Sequence, residues 1–475
     1  MKCSDSDFAC FYDLRRFGAT GDGVTLDTAA LQQAIDCCHE AGGGTVLVPA
    51  GTYLTGTLYL KSHVTLHLSA GATLLGSPRR EDYNADDVFP ENPVFTVENV
   101  TGAHLILAYQ AEDVAITGEG TIDGNSSAFF EPLPPEEVTT TYRSKTRNFP
   151  IGEWRPGMMV YFCRCTKVSV RDVSLVDSPY WTLFLLGCEK VQVRGLRITN
   201  PPQTANGDGI DIDCCRDVTI SDCIICSGDD SITLRGHSAL LGENAQPCEQ
   251  VTVSNCVLST PCNAVRVGVG DGIVRDCLLS NLIIKESRTG INLICAYSER
   301  SAHGTTLENL HFENVLMDSV NLIKLALGRT AKLPAAIRNV SFSHMRALGR
   351  EGMYFAGNPG LPLSGVRLHD VHLRLTGSAV DAEYAQKTPP VHGGGGVPAG
   401  LFVRHAEHLR VSGMEVEWEE VGGGWQHAVM IEDSQNVVIA DLEATAPPTA
   451  PDNEVVHCTR VSDLRVRPVP GTQSE

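Results

Sequence analysis

Short runs of alternating apolar and polar residues make up most of this chain, and brief polar turns separate them. One run extends from Val168 to Val176, and similar phrases begin at Val191, Val218 and Val251. On either side of the short turn in each phrase, every second residue is apolar, which is the pattern of a β-strand with one buried face. The phrase returns between residues 307 and 442, and it is weakest at the end of that stretch.

The spacing of these phrases predicts the fold. Successive equivalent valines lie 23, 27 and 33 residues apart. Unequal spacing with a constant motif is typical of a parallel β-helix, because the turns vary in length while the strands must stack. We therefore predict an all-β protein, a right-handed parallel β-helix that forms a single domain over residues 1–475.

One helix is predicted, close to the N-terminus. Residues 25–39 carry apolar side chains at roughly helical spacing, and three glycines at 42–44 follow them. We expect residues 1–60 to form an N-terminal cap that contains this short capping helix and the first coils.

The rest of the chain should continue the coils. We predict β-helix coils over 61–465 and a tail over 466–475. Two segments, near 129–157 and 377–400, interrupt the strand rhythm with residues typical of loops, and we interpret them as surface excursions.

Charge limits the partners that the chain can have. It has 37 basic and 57 acidic residues, a net charge of −20, which disfavours binding to nucleic acid and to anionic membrane surfaces. No run of about 18 apolar residues is present, so no membrane span is predicted. The first residues lack the apolar core of a signal peptide, so we expect a cytoplasmic protein, or an extracellular one if the sequence has been trimmed. The oligomeric state is not predicted.

The cysteines fit a β-helix core. Of the 17 cysteines, several recur at matching places in successive repeats: Cys188, Cys214, Cys223, Cys256 and Cys277. We interpret them as small buried residues that stack inside the coils in a reducing compartment. Histidines do not lie at ligand spacing from the cysteine pairs, so neither a metal nor a cofactor is predicted.

The candidate chemistry lies in carboxylates on two consecutive repeats. Asp208 and Asp211 belong to one repeat, and Asp229 and Asp230 belong to the next, with Asp229 following Asp208 at an interval of 21 positions. If one repeat is one coil, Asp208 lies about 4.8 Å from the pair. Carboxylates this close repel each other, so at least one should have a raised pKa and hold a proton. A protonated carboxyl that faces ionised ones can hydrolyse a glycosidic bond, whereas isolated aspartates would be solvated turn residues.

Several motifs give the sequence a family resemblance. The most specific are Asn-Gly-Asp-Gly-Ile-Asp at 206–211 and Gly-Asp-Asp at 228–230, and the others lie at 13–27, 43–53, 155–158 and 177–183. Over most of its length the chain resembles glycoside hydrolase family 28, the polygalacturonase family. The resemblance implies cofactor-free hydrolysis with inversion at the anomeric carbon. It also implies that Asp229 is the general acid and that Asp208 and Asp230 hold and deprotonate the attacking water.

Two family motifs that bind the substrate carboxylate are absent. The Gly-His-Gly motif should fall near residues 261–263, and the Arg-Ile-Lys motif should follow Ile291. A buried uronate without a cationic partner is costly, so we expect unmodified polygalacturonate to be a poor substrate. The sugar at the cleaved position should be neutral, or acidic and bound by Arg235 or Arg266 in another geometry.

The candidate substrate-binding residues lie on both sides of these acids in the sequence. They are Trp181, Asp211, Arg235, His237, Asn263, Arg266 and Asn292. Arg235 and Arg266 could supply the missing charge or form surface ion pairs, and Arg288 is a weaker candidate. His237 could replace the absent histidine or lie exposed in a turn. Trp181 could stack on a sugar or pack beneath the cleft.

We therefore expect an inverting glycoside hydrolase that cleaves a pectin-type or related oligosaccharide, with exo action on imported fragments. A hydrolase of the same family acting on rhamnogalacturonan or a neutral glycan is the alternative. A polysaccharide lyase or epimerase would need a strong base and a group that neutralises a uronate. A non-catalytic sugar-binding β-helix is the third possibility. In each case the partner is an oligo- or polysaccharide.

Overall fold

In the computed structural model the chain is described over residues 11–84, 89–92, 98–143, 147–296, 302–377, 398–450 and 452–467. The strands in these ranges stack in parallel, and the fold is the predicted right-handed parallel β-helix with an N-terminal capping helix. The chain divides into two compact units, Met1–Ile232 with Leu240–Gln246 and Thr233–Ala239 with Pro247–Glu475. The single domain expected over 1–475 stays a prediction.

The first unit contains nineteen strands in the described residues. They are β1 (Phe11–Asp13), β2 (Asp22–Leu26), β3 (Gly44–Val48), β4 (Gly51–Thr55), β5 (Leu58–Tyr59), β6 (Val64–Leu68), β7 (Ala72–Gly76), β8 (Ile106–Tyr109), β9 (Glu112–Gly118), β10 (Thr121–Asp123), β11 (Val160–Cys163), β12 (Thr166–Arg171), β13 (Ser174–Val176), β14 (Leu183–Leu186), β15 (Glu189–Arg194), β16 (Arg197–Thr199), β17 (Ile210–Asp213), β18 (Arg216–Ser221) and β19 (Ile224–Cys226).

Strand β20 (Ile232–Gly236) begins at the last residue of Met1–Ile232 and continues into the second unit. The later strands, all in the second unit, are β21 (Cys248–Ser259), β22 (Asn263–Gly270), β23 (Ile273–Cys295), β24 (Thr306–Leu327), β25 (Ala336–Glu351), β26 (Met353–Ala356), β27 (Leu363–Ser364), β28 (Arg367–Gly377), β29 (Ala399–Arg404), β30 (Ala406–Glu407), β31 (Arg410–Val421), β32 (His427–Ala444) and β33 (Val456–Arg467).

The predicted helix is α1 (Thr28–Glu40), which begins three residues later than the sequence pattern suggests. Asp27 ends the preceding strand segment, because its carboxylate accepts hydrogen bonds from the amides of Thr20 (2.7 Å) and Gly21 (3.0 Å). Four side chains of α1 are fully buried, namely Leu31, Ala34, Ile35 and Cys38. The other α-helix is the single turn α2 (Ser238–Leu241). Among the described residues, no helix has the length and apolar character needed to cross a membrane.

Apolar residues stack from coil to coil, as the sequence pattern predicts. In the first unit, Val168, Val191 and Val218 lie in register on β12, β15 and β18, and all three are buried. In the second unit, Val251 lies opposite Cys277 on the next strand. The constant phrase therefore reflects one interior position that recurs on each coil.

The polar turns are required by the backbone. Asp172, Gly195 and Asp222 follow equivalent strands, and their φ angles are 65°, 66° and 59°. Gly, Asn and Asp adopt this left-handed conformation more readily than most other residues, which explains their recurrence between the β runs.

The recurring cysteines are buried as predicted, but the residue that matches Cys188 on the next coil is Cys215 and not Cys214, because the Cys215 thiol donates to the carbonyl of Leu185 as that of Cys188 donates to Phe162. Cys214 belongs instead to the buried cluster that contains Trp181 and Phe184. The five that recur in the repeats, Cys188, Cys214, Cys223, Cys256 and Cys277, are all buried. The Cys188 thiol donates to the carbonyl of Phe162 at 3.3 Å on the preceding coil. Burial raises the pKa of Cys188, so this thiol stays protonated and acts as a small core residue.

The described residues of the predicted excursion near 129–157 contain a single 3₁₀ turn, Pro135–Glu137, and one antiparallel bridge between Phe130 and Ile151. The excursion near 377–400 lies almost entirely outside the described residues. The last strand ends at Arg467, two residues beyond the predicted end of the coils, and the remainder of the predicted tail is outside the described residues.

Candidate active site

Asp208, Asp229 and Asp230 lie on adjacent coils of the first unit. The amide of Gly209 donates to the carbonyl of Asp230 at 2.8 Å, and the amide of Asp229 donates to the carbonyl of Gly207 at 3.3 Å. These two bonds hold the backbone around Asp208 beside that of the Asp229–Asp230 pair. The interval of 21 residues therefore corresponds to one coil, as the sequence predicts.

Two glycines allow these coils to approach closely. A Cβ at Gly209 would lie 2.4 Å from the carbonyl oxygen of Ser231, and a Cβ at Gly228 would lie 2.8 Å from those of Pro201 and Thr204. No side chain fits at such distances, so glycine is required at both positions. The glycines of the two motifs therefore set the spacing of the coils that carry the acids.

The three carboxylates differ in exposure. Asp208 and Asp230 are only 3% and 1% exposed, whereas Asp229 is partly accessible. The Asp229 carboxylate accepts a hydrogen bond from the amide of Asp230 at 3.1 Å, and the Ser227 hydroxyl donates to the Asp229 carbonyl at 2.7 Å. The most accessible of the three acids therefore lies in a turn that is fixed by hydrogen bonds from Ser227 and Asp230.

A fully buried arginine organises the coil that carries Asp208. Its guanidinium donates to the carbonyls of Ala205 (2.7 Å), Glu98 (2.8 Å) and Pro179 (3.1 Å) and to the side-chain oxygen of Asn206 (2.9 Å). This residue is Arg155, which was not predicted to be a site residue. Its four bonds fix the segment that enters the Asn-Gly-Asp-Gly-Ile-Asp motif.

Charge and burial act on Arg155 in opposite directions. Burial lowers its pKa to about 10, and the nearby Tyr180, Glu98 and Asp208 partly offset the shift. The guanidinium lies 4.8 Å from the centre of the Tyr180 ring, a cation–π contact. Arg155 therefore remains charged at neutral pH and interacts favourably with the Asp208 carboxylate.

Replacing Arg155 by lysine should destabilise the first unit. Lysine keeps the charge but lacks the planar fork, so several buried carbonyls would lose their donor, at a cost of about 3 kcal/mol. Chemical unfolding would measure the change in the free energy of unfolding. Arg171→Lys is the matched control, because Arg171 lies at an exposed strand position. Equal unfolding midpoints for the two variants would contradict the role assigned to Arg155.

The excursion near 129–157 is anchored beside this coil. The fully buried side chain of Gln203 accepts from the amide of Thr139 (2.9 Å) and donates to the carbonyl of Glu137 (2.6 Å). The Tyr142 hydroxyl donates to the carbonyl of Asn200 at 2.9 Å. The excursion is therefore attached to the residues that lead directly to Asp208.

Two further predicted residues of the first unit are deeply buried. Trp181 is 6% exposed and stacks on Tyr180 at 5.0 Å, with Phe184 edge-on to it at 5.2 Å. Asp211, on β17, is fully buried and lies opposite Phe184 in register. These placements favour packing for Trp181 and a supporting position for Asp211, and direct substrate contact stays a prediction for both.

The second unit brings three predicted residues together. Arg266 on β22 lies opposite Asn292 on β23, and the Asn292 amide donates to the Asn263 side-chain oxygen at 2.7 Å. Arg235 is buried near the end of β20, a strand that pairs with β22, and His237 is half-buried just beyond it. Their role as substrate-binding residues stays a prediction.

One further residue of the same face was not predicted from the sequence. Lys324 on β24 lies opposite Asn292 in register and is buried. The sequence does contain a sign that this residue is unusual, because Lys324 is the only charged residue in the otherwise apolar run 322–327. Charged side chains are rarely buried, so a lysine in such a strand marks a special environment.

Known proteins resemble this chain along most of its length. The model of the family described as glycosyl hydrolases family 28 matches residues 38–385. A probable polygalacturonase of Vitis vinifera is 28% identical over 289 residues, which cover 58% of this chain and 55% of that protein. An exo-poly-alpha-D-galacturonosidase of Dickeya chrysanthemi is 27% identical over 410 residues, which cover 76% of this chain and 65% of that protein.

Solved structures share the fold. A family 28 exopolygalacturonase of Yersinia enterocolitica has a TM-score of 0.67 at 20% identity, covering 90% of this chain and 78% of that chain. A hyperthermoactive exopolygalacturonase of Thermotoga maritima has a TM-score of 0.56 at 22% identity, covering 90% of this chain and 91% of that one. Because the family model matches well over half of the sequence, the chain belongs to glycosyl hydrolases family 28.

Proposed function

We propose that this protein is an inverting glycoside hydrolase that acts on a pectin-type oligosaccharide. The observation that carries the proposal is the pairing of Asp208 with Asp229 and Asp230 on adjacent coils, one partly accessible acid beside two buried ones. Membership of a glycosidase family supports the reaction class. The exo-acting enzymes among its relatives support a uronate-containing substrate and exo action.

In the proposed reaction Asp229 donates its proton to the glycosidic oxygen as the bond to the anomeric carbon breaks. Asp208 and Asp230 orient a water molecule and remove its proton as the oxygen bonds to the opposite face of that carbon. Inverting enzymes place acid and base about 6.5–9.5 Å apart to leave room for the water. The partial exposure of Asp229 supports the acid role, since that group must reach the leaving oxygen.

The products should separate hydrolysis from the lyase and epimerase alternatives. Incubation with oligogalacturonides or rhamnogalacturonan fragments should release reducing sugar without the ultraviolet absorbance of an unsaturated uronate. Proton NMR of the first product should show the inverted anomer. The Asp229→Asn variant, purified and assayed in parallel, controls for contaminating activity. An unsaturated product, or a retained anomer, would contradict the carboxylate roles proposed here.

A further inference from the structure

The last two strands of the second unit bring two histidines and a glutamate together. His427 is the first residue of β32, His457 is the second residue of β33, and Glu454 lies just before β33. One donor atom of each residue lies within 4.8 Å of those of the other two. Glu454 follows His427 by 27 positions, so the three meet because the coils stack.

Glu454 orients both imidazole rings. The Nδ1 atom of His427 lies 2.9 Å from the backbone carbonyl oxygen of Glu454, and the Nδ1 atom of His457 lies 2.8 Å from the carboxylate oxygen Oε2 of Glu454. A carbonyl and a carboxylate both accept, so each Nδ1 carries the hydrogen, and the lone pair of a neutral ring is on Nε2. Histidines that bind metals are commonly oriented in this way.

Three donor atoms of this group can reach an ion. The Nε2 atom of His427 and the Oε1 atom of Glu454 have no hydrogen-bond partner among the described residues. The Nε2 atom of His457 accepts from the Thr459 hydroxyl at 2.9 Å. A metal ion can replace that hydroxyl, which can then bond to water instead.

The group is buried on one side and open on the other. His427 is only 6% exposed, whereas the side chains of His457 and Glu454 are 34% and 46% exposed. The Glu454 amide donates to the Asp452 carboxylate at 3.1 Å, which fixes the turn. An ion would therefore enter from solvent and meet a fixed inner ligand and two outer ligands that can adjust.

The adjustment needed is small. The two imidazole rings stack at 4.8 Å with an angle of 15°. Tetrahedral zinc with bonds of about 2.0–2.2 Å places its ligand atoms about 3.4 Å apart. The exposed ring of His457 must therefore turn and move by about 1 Å for its Nε2 atom to share an ion with that of His427.

The donor types select the class of ion. Two imidazole nitrogens and a carboxylate oxygen are ligands of Zn²⁺, whereas Mg²⁺ and Ca²⁺ prefer oxygen alone. The net charge of −20 also attracts cations. The neighbouring Cys458 is not part of the group, because it lies in register with the buried Ile431 on the opposite side of the strand from His457.

We propose that His427, Glu454 and His457 form a zinc site, in which the two Nε2 atoms and a carboxylate oxygen bind the ion and water completes the coordination. The ion would join β32 to β33, the last strand of the described residues, and would stabilise the terminal coil of the solenoid. The site lies outside the proposed catalytic residues and does not rest on the proposed function.

Calorimetry with zinc chloride, on a chain without a polyhistidine tag, tests the site. The wild type should bind one Zn²⁺, and His457→Asn and His427→Asn should each weaken binding by at least about tenfold. The asparagine amide replaces the Nδ1 donor, so the bond to Glu454 is kept and only the Nε2 ligand is lost. His457 is partly exposed, so His457→Asn should fold, and it decides the test alone if His427→Asn does not.

Two further measurements identify the ligands and the effect. Co²⁺ bound in place of zinc should give visible absorption without the near-ultraviolet charge-transfer band of a thiolate ligand, which separates this site from the cysteines. Zinc should raise the unfolding temperature of the wild type but not of His457→Asn, because the ion binds only the folded strands.

His372→Asn is the matched control, because His372 lies beside Glu415 and Glu417 in another histidine–carboxylate group of this unit. It should bind zinc like the wild type, and Mg²⁺ should give no binding heat at the same concentrations.

Four results would overturn the site: no zinc binding by the wild type, unchanged affinity in His457→Asn, loss of binding in His372→Asn, or a thiolate band with Co²⁺. A chain that hydrolyses oligosaccharides but does not bind zinc would contradict this site alone. A chain that binds zinc at these residues but hydrolyses no oligosaccharide would contradict only the proposed function.

Discussion

Asp229→Asn should lower turnover by at least about 10³-fold and leave the fold unchanged. Asparagine has nearly the same shape as aspartic acid, and the backbone amide that bonds to the side-chain oxygen can bond to either. Only the transferable proton is lost. Asp229 is also partly accessible, so the substitution is made at a position that is not fully buried.

The measurement is the rate of reducing-sugar release at saturating substrate, with thermal unfolding to verify the fold. Asp222→Asn is the matched control, because Asp222 is an exposed turn residue with φ 59°, a conformation that asparagine adopts readily. The control should retain full activity. If Asp229→Asn kept more than about a tenth of wild-type turnover, Asp229 could not be the general acid.

The second large effect concerns the two buried acids. Asp208→Asn and Asp230→Asn should each reduce turnover by about 10²-fold or more, and the double variant should be little worse than the poorer single variant. Groups that orient and deprotonate one water act as a unit, so removing either one already disrupts the nucleophile. Rates for the two single variants and the double variant form the cycle that tests this.

The stability of each variant must be measured together with its turnover, because the side chains of Asp208 and Asp230 are both buried. Asp208 stabilises the charged form of Arg155, so Asp208→Asn should also lower the unfolding temperature. The loss of turnover in this variant should be larger than partial unfolding alone would cause. Strictly additive losses would contradict a shared water. Near-normal turnover in either single variant would remove that residue from the mechanism.

The β-helix could be predicted because its rules are local. Period-two alternation requires one buried face, and left-handed turn residues such as Asp172 and Gly195 mark where strands end. The interval between Asp208 and Asp229 could be converted to a distance because a coil returns the chain to the neighbouring strand. The helix boundary was wrong by three residues at its start, because Asp27 bonds to Thr20 and Gly21, a contact that the helical pattern does not contain.

The side chains that support the site could not be predicted from the sequence in the same way. Arg155 belongs to a motif noted in the sequence, but its acceptors come from distant segments, including Glu98 and Ala205. The near-complete burial of Trp181 depends on its neighbours Tyr180 and Phe184 being packed around it. Such properties follow from how coils stack, and no single strand encodes them.

By itself the sequence determined the β-helix, the coil that pairs Asp208 with Asp229, and the absence of the two family motifs, since each follows from residue type and spacing along the chain. The tertiary structure alone decided that Lys324 shares a row with Arg266 and Asn292. These three residues are 26 and 32 positions apart, and their alignment depends on the exact length of each intervening turn. Turn lengths vary from coil to coil, so only the register of the folded strands places these three side chains opposite one another.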